Sequence, residues 1–192
     1  MANDVNNVVV GKPLSTGGIL VAPVGTALPS DESSVLDVAY KPVGYLSSDG
    51  ATKSENRTST VIHAWGGDTI AALQTAFGVQ WKFKMAEFLN AVVQRALYGD
   101  ANVLTTPATS TSGNKMHIIG KSTPCPRLTW IIEVVYEEKH IRIVIPDAQI
   151  TTVGDQTYKD DDIAAADVTL ESFPGVDGAY FHTYTNDGHT TV

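Results

Sequence analysis

The residues able to take part in chemistry are few and scattered. Five histidines are spread along the chain: His63, His117, His140, His182 and His189. No two of them are four residues apart, which is the spacing of a helical metal-binding pair. The acidic run Asp160–Asp162 lacks the alternating ligands, central glycine and distal glutamate of a calcium loop. We therefore expect no metal or cofactor, and we interpret the acidic run as a solvated turn.

Candidate nucleophiles are equally unsupported. Cys125 lies between Pro124 and Pro126 without a local signature of a reactive thiol. No serine occupies a Gly-x-Ser-x-Gly elbow, and no glycine loop has the spacing of a phosphate-binding site. The segment Gly66–Thr69 is predicted to be a bend between strands, in which Asp68 or Thr69 bonds to nearby backbone. We expect a protein that is not an enzyme and has no catalytic residues.

Composition excludes further classes of function. The chain has 192 residues and a net charge of -8, with thirteen scattered lysines and arginines, so it lacks the clustered cations of a nucleic-acid-binding protein. An acidic surface would let nucleic acid pass without binding, although most acidic domains are merely soluble. No segment approaches the roughly 20 apolar residues of a membrane span. The N-terminal residues do not suggest a signal peptide, and one cysteine is typical of folding in a reducing cytoplasm.

The elements that would position these residues are mostly strands. Apolar residues alternate with lysines over Trp81–Met85, which predicts a half-buried strand. Leu128–Tyr136 and Ile141–Ile145 predict a hairpin with a tight turn around Glu137–Lys139, ended by Pro146. Both runs carry apolar residues on both faces in part, so we expect this sheet to be covered on both sides.

One helix interrupts the strands. Apolar residues at helical spacing predict a helix over Glu87–Leu97, and Gly99 follows where a helix C-terminus favours glycine. Trp65, Trp81 and Trp130 occupy alternating positions that are typical of a core. The sequence therefore predicts a mainly β fold with one α-helix.

A polar segment, Ser47–Thr60, contains Ala51 as its single apolar residue. A connection this long within a compact domain is either disordered or functional. We expect a projecting loop, part of which the Asp49-Gly50 pair would turn into a hairpin. Its role as a contact surface or as a solvated loop is left open by the sequence.

Three stretches resemble the major tail proteins of long-tailed phages, particularly those that infect actinobacteria. They are Gly17–Gly25, Val43–Gly50 and the run AWGGDTIAALQTAFGVQWKFKMAEFLNAVVQRALYGDANV at Ala64–Val103, which ends in the family's pattern at Tyr98–Val103. The likeness covers residues 11–185 and consists of many weak matches without a catalytic fingerprint. The family is that of the tail tube proteins of siphophages, whose tails do not contract.

The resemblance implies a β-sandwich or partial barrel with one flanking helix, whose inner sheet joins neighbouring subunits into a continuous barrel. It implies hexameric rings that stack into a tube in the virion tail, assembled in the host cytoplasm. The implied partners are further copies of the chain, the tape-measure protein, the tail terminator and the baseplate or tip proteins. DNA would pass without sequence-specific binding, and the chain would not insert into a membrane.

The resemblance also suggests boundaries and contact residues. An N-terminal arm (1–16) and a C-terminal tail (186–192) would flank a tail tube domain (17–185), with Ala2–Leu14 and the tail as secondary contact candidates. Polar residues of the projecting loop would contact neighbouring subunits or rings: Ser47, Ser48, Asp49, Lys53, Glu55, Asn56, Arg57 and Thr58. Gly66, Gly67 and Asp68 would form a structural bend, and Glu133 or nearby acids would contribute to an acidic lumen.

Two rival functions remain. A tube protein of a contractile tail or a secretion-type injection machine would share the fold, whereas a stand-alone β-sandwich binding module would need an exposed aromatic platform. Deletion of Asn56–Thr60 is expected to leave a folded monomer or ring that cannot elongate. Replacing Gly67 with a β-branched residue is expected to damage folding or assembly.

Overall fold

Ten strands and one α-helix make up the computed structural model, which describes residues 8–14 and 18–189. The helix is α1 (Ala91–Tyr98), followed by a 3-10 turn at Asp100–Asn102. The strands are β1 (Ile19–Pro23), β2 (Lys41–Pro42), β3 (Leu46–His63), β4 (Thr69–Met85), β5 (Val103–Thr106), β6 (Lys115–Ile118), β7 (Arg127–Tyr136), β8 (Lys139–Val153), β9 (Ala166–Phe173) and β10 (His182–Asn186).

The main sheet is antiparallel and has the strand order β2-β1-β7-β8-β9-β4-β3. Strand β8 changes partner along its length: residues 140–144 pair with β10, and residues 147–153 pair with β9. β5 and β6 form a separate two-stranded sheet. The predicted mainly β fold with one helix is confirmed for the described residues.

The main sheet curls back over itself. Phe83 of β4 and Trp130 of β7 contact each other with ring centroids 5.7 Å apart, although β8 and β9 separate their strands in the sheet order. Around this contact lies a core that takes in one face of β1, β4, β7, β8 and β9 together with Val93, Ala96 and Leu97 of α1. The sheet thereby encloses a core as a partial barrel does, and it does not close among the described residues.

The opposite face of β1, β7 and β8 is covered as well, which confirms the two-sided burial predicted for this hairpin. Ile131 and Val144 are fully buried there, and they pack with Tyr40 from the segment that connects β1 to β2. Burial raises the pKa of Tyr40 to about 12. The connecting segment therefore forms a second, thinner layer over the sheet.

The predicted end of the second hairpin strand at Pro146 is wrong, because β8 continues to Val153. Proline is tolerated at this point since it lies at a β-bulge, where the register shifts between Leu128 and Trp130 of β7. The Pro146 carbonyl accepts a hydrogen bond of 2.7 Å from the Thr129 hydroxyl. The bend marks the place where β8 exchanges β10 for β9.

The helix begins four residues later than predicted, at Ala91. Asn90 caps it by accepting a hydrogen bond of 2.9 Å from the Val92 N–H. Glu87 instead reaches back across the chain and accepts hydrogen bonds from the Tyr45 N–H and the Asn90 side-chain amide. At the other end Gly99 has a φ of +83°, as the sequence indicated.

The largest difference from prediction is the segment 47–60. It is not a loop: with its neighbours it forms the 18-residue strand β3, which pairs with the 17-residue strand β4 along most of its length. The turn of this hairpin is at Ala64–Asp68, not at Asp49-Gly50. The polar side chains conceal the strand because most of it lies outside the core.

Candidate assembly surfaces

The base of the β3–β4 hairpin is anchored firmly. Val79, Trp81, Phe83 and Met85 of β4 point into the core, and each is at most 3% exposed. The Trp81 indole N–H donates to the Ser172 hydroxyl over 3.0 Å, and the indole packs edge-on against Phe181. β9 pairs with β4 only from Gln80 to Met85. Beyond that region β3 and β4 continue as a two-stranded ribbon with no further described strand beside them.

Three charged residues follow one face of β3 at the start of this ribbon. Glu55 lies 2.9 Å from the Lys53 ammonium and 3.5 Å from the Arg57 guanidinium. The hydrogen bond from Lys53 lowers the pKa of Glu55. This charged row is largely solvated, and its pairs contribute little to stability.

Aromatic rings lie beneath the two cations of that row. Lys53 lies 4.4 Å from the centroid of the Phe181 ring, and Arg57 lies 4.4 Å from that of Phe77. Such contacts favour a fixed side-chain orientation at exposed sites. The row therefore lies over aromatic rings where the ribbon leaves the core.

The remaining predicted contact residues of β3 are also placed by the structure. Asn56 and Thr58 are exposed, on the face opposite the charged row. The Ser47 hydroxyl donates to Asp49 over 2.8 Å near a register shift at the start of the strand, and Ser48 is exposed beside it. All eight residues lie on one strand, and their role in contacts between subunits stays a prediction.

The far end of the hairpin is a closed turn. The Gly67 N–H donates to the Ala64 carbonyl over 3.0 Å, and the Ala64 N–H donates to the Asp68 carbonyl over 2.7 Å. Gly66 and Gly67 have φ values of +126° and +98°, which L side chains rarely adopt. His63 lies with its Nδ1 3.1 Å from the Gly67 carbonyl oxygen. Gly66, Gly67 and Asp68 thus form the turn itself.

Exposed apolar side chains surround this turn. Trp65, predicted to be a core residue, is 108% exposed, because the turn carries it away from the sheet that buries Trp81 and Trp130. Four further residues of the same end are exposed, and with Trp65 we call them the tip cluster: Val61, Ile62, Trp65, Ile70 and Leu73. By strand alternation Ile62 and Leu73 lie on one face of the ribbon, and Val61 and Ile70 lie on the other. Exposed apolar residues grouped around one turn make the tip a candidate interaction surface.

A groove lies at the other end of β4, between α1 and the β5–β6 hairpin. Its lining includes Phe88, Leu89, Ala91, Thr105, Met116 and Ile118, and it encloses a volume of about 680 Å³. Leu89 is 86% exposed at its rim. Arg95 and Lys115 add positive charge to the lining. We call this feature the helix groove.

Glu133, the predicted lumen acid, does not present a free carboxylate in this chain. It is 2% exposed and accepts a hydrogen bond of 2.7 Å from Arg142, and His140 lies against its second oxygen. Arg142 also donates to the backbone carbonyls of Asp31 and Ser34. The pair therefore fastens the β1–β2 connecting segment to the sheet.

Parts of the predicted arm and tail are held by hydrogen bonds to β7 and to the segment that connects β1 to β2. The Val135 N–H donates to the Lys12 carbonyl over 2.9 Å, so that residues 12–14 run beside the end of β7. The Asn186 amide donates to Glu32 over 3.0 Å, which lowers the pKa of Glu32. The rest of the arm, at 1–7 and 15–16, and of the tail, at 190–192, lies outside the described residues.

The other candidate residues form no reactive centre. Over residues 8–14 and 18–189, no group of three or more His, Cys, Asp and Glu side chains is arranged to hold a metal ion. Burial raises the pKa of the Cys125 thiol, which makes it a poor nucleophile. Within the same residues, no helix has the length and apolar character needed to cross a membrane.

Comparison with known proteins identifies the family to which the chain belongs. The sequence model of the phage tail tube protein family matches residues 1–191. The chain therefore belongs to the phage tail tube protein family. This match confirms the resemblance at the level of the family. The structural role of that family agrees with the expectation that the chain is not an enzyme.

Other similarities are distant. No curated protein sequence matches the chain. One similar solved structure is the anti-feeding prophage cap, a tube terminating cap, with 11% identity over 97% of this chain and 100% of that chain, and a TM-score of 0.47. Another is from the sheath–tube complex of the extracellular contractile injection system PVC in its extended state, with 9% identity over 96% of this chain and 100% of that chain, and a TM-score of 0.42.

The tip cluster is the candidate contact surface that sequence reasoning missed. The signal was present, because apolar residues flank a Gly-Gly-Asp turn at 66–68. Two apolar runs on either side of such a turn also predict a buried hairpin. Only the length of β3 and β4 beyond β9 shows that these residues lie outside the core.

Proposed function

We propose that this chain is the subunit of a non-contractile phage tail tube, in which hexameric rings of the protein stack. The tube encloses the tape-measure protein during assembly in the host cytoplasm, ends at terminator and tip proteins, and later conducts DNA. Membership in the tail tube family supports the proposal. The observation that carries it is the tip cluster, which exposes five large apolar side chains on a hairpin that the monomer does not cover.

Exposed backbone edges support the same conclusion. β3 lies at one edge of the main sheet, and its outer side pairs with no described strand. An edge of 18 residues is a template for pairing with another chain, and joining subunits side by side would remove it. A protein that assembles has a use for both the edge and the tip cluster.

The charge of the subunit suits the passage of DNA. Each copy carries a net charge of -8, so a ring of copies repels phosphate groups overall and does not hold them. Glu133 adds no free charge to such a lumen because it is paired with Arg142. Exposed acids on the same hairpin, Glu137 and Glu138, are the better candidates.

Negative-stain electron microscopy of the concentrated protein tests the proposal, together with mass measurement in solution. Rings or tubes are the expected result. A matched variant shortens the hairpin: residues 58–76 are replaced by Asn-Gly between the paired residues Arg57 and Phe77. This variant keeps the anchored base, so it should fold, and it should not form tubes.

Two results would contradict the proposed function, and a third would contradict the role of the tip cluster in it. A stable monomer at high concentration would favour a binding module. Normal tubes from the shortened variant would show that assembly does not require the tip cluster. A sheath gene beside the gene for this protein would assign the tube to a contractile tail or injection machine.

A further inference from the structure

We propose that the tip cluster of one copy binds in the helix groove of a second copy. The inference rests on the proposed function and specifies one contact by which copies join. The tip is a set of exposed apolar side chains, and the groove is an open cavity lined in part by apolar side chains.

The two surfaces match in kind. Trp65 in the turn is the most exposed residue of the tip cluster, and Ile70 and Leu73 lie on the strand that follows. The helix groove offers apolar side chains from Leu89, Met116 and Ile118, and its volume of about 680 Å³ is in the range of pockets that bury a drug-sized ligand, which is larger than one tryptophan side chain. A buried tryptophan at the centre of a contact is a typical source of binding free energy.

Charge fixes the orientation of the contact. Asp68 is exposed within the turn, and Lys115 and Arg95 line the groove. Arg95 is partly occupied by Asp100, whose carboxylate lies 3.6 Å away. Lys115 is exposed on β6, and we assign it as the partner of Asp68, since opposite charges across an interface select the register.

Geometry requires the groove to belong to another copy. The turn precedes β4 at Thr69, and the groove begins at Phe88, just after β4 ends at Met85. Seventeen residues of strand span about 50 Å at about 3.3 Å per residue, so a tip cannot reach the groove of its own chain. A tip-to-groove contact is heterologous, and repeated along one direction it produces an open polymer.

Disulfide trapping between two single-cysteine proteins tests the contact. In a Cys125→Ser background, one protein carries Ala64→Cys at the turn, and the other carries Thr106→Cys in the groove. The control partner carries Val176→Cys, which is fully exposed on the β9–β10 connection. Docking raises the effective concentration of paired thiols, so the turn–groove disulfide should form about tenfold faster than the turn–control disulfide.

Charge reversal provides a second readout. Asp68→Lys and Lys115→Glu should each lower the rate of turn–groove trapping, and the two changes combined should restore it. Both positions are exposed, so the variants should unfold at the temperature of the parent protein.

The outcomes separate this inference from the proposed function. Tubes with faster turn–groove trapping and rescue by the double reversal support it. Tubes with equal trapping at the control, or without rescue, overturn the tip-to-groove contact and leave the tube function intact. Wild-type protein that forms neither rings nor tubes overturns both.

Discussion

The two ends of the β3–β4 hairpin share the same strands and differ in their relation to solvent. At the base, Trp81 is 2% exposed and bonded to Ser172 of β9. At the tip, Trp65 is 108% exposed and has no neighbouring sheet. One hairpin thus serves the stability of the monomer at one end and is available to other copies at the other. Residue type alone does not distinguish these two uses.

The largest predicted difference lies between the two tryptophans. Trp81→Ala should lower the free energy of unfolding by about 3–5 kcal/mol, because it leaves a cavity in the core. Trp65→Ala should change it by less than about 0.5 kcal/mol, as is usual for an exposed position, and should abolish tubes. Urea unfolding and electron microscopy of both variants measure these effects. Equal destabilisation by the two substitutions would show that the tip is part of the monomer's core.

A change in the turn should affect the tip and leave the base intact. Gly67 has a φ of +98°, and a β-branched side chain there costs about 1–3 kcal/mol in backbone strain. Nothing lies within 4 Å of a Cβ at this position, so the cost is conformational and not steric crowding by other parts of the protein. Gly67→Val should lower the yield of tubes, and in urea unfolding it should lower the free energy of unfolding of the monomer by no more than this strain.

Gly67→Asn is the matched control for that substitution, since asparagine tolerates positive φ better than valine. It should retain more tubes than Gly67→Val. Wild-type yield from the valine variant would mean that the observed turn is not needed for assembly.

A change at the start of α1 should lower the stability of the monomer slightly and leave the formation of tubes intact. Asn90→Ala removes the cap on the Val92 N–H and should lower the free energy of unfolding by about 1 kcal/mol. Tubes should still form, although α1 is one wall of the helix groove. Asn90→Ser retains an acceptor for the Val92 N–H without placing a second carboxylate beside Glu87, and it should restore part of the stability in a thermal unfolding experiment. Loss of tubes by a stably folded Asn90→Ala protein would contradict a purely local role.

The smallest effect is expected in the charged row between the two ends. The hydrogen bond from Lys53 lowers the pKa of Glu55, so its stabilising contribution is present above the ordinary carboxyl pKa and is lost as the pH falls through the lowered value. Lys53→Met should raise the pKa of Glu55 in an NMR titration. An unchanged titration would show that Lys53 does not hold the carboxylate in solution.

The sequence predicted the elements that the core buries. Alternation over Trp81–Met85 identified β4 because one of its faces lies in the core, and the apolar residues on both faces of Leu128–Tyr136 identified β7 because both of its faces are covered. It failed for β3, whose polar residues are solvated on both faces beyond the last neighbouring strand. Alternation also failed for Trp65, because the alternating pattern at 61–65 is the same for a buried strand and for an exposed hairpin tip.

Glu133 shows a different limit of prediction. An acid on a strand face is expected to be solvated, and no local pattern indicates that Arg142 on β8, which also donates to the carbonyls of Asp31 and Ser34, will pair with it. The pairing depends on register and on the path of a distant loop. Alternation places Glu133 on a face of the strand but does not identify what covers that face.

The free ribbon has a consequence for following assembly in time. Between Gln80 and the turn, neither β3 nor β4 has a further described strand beside it. Half of the amides in each strand of this ribbon therefore point to solvent without a partner. These amides should exchange their hydrogens with deuterated water rapidly in the monomer, while those of Trp81–Met85 exchange slowly. A tube that covers the ribbon should slow the first group and leave the second unchanged. Amide exchange would therefore record the growth of the tube from the same hairpin that builds it.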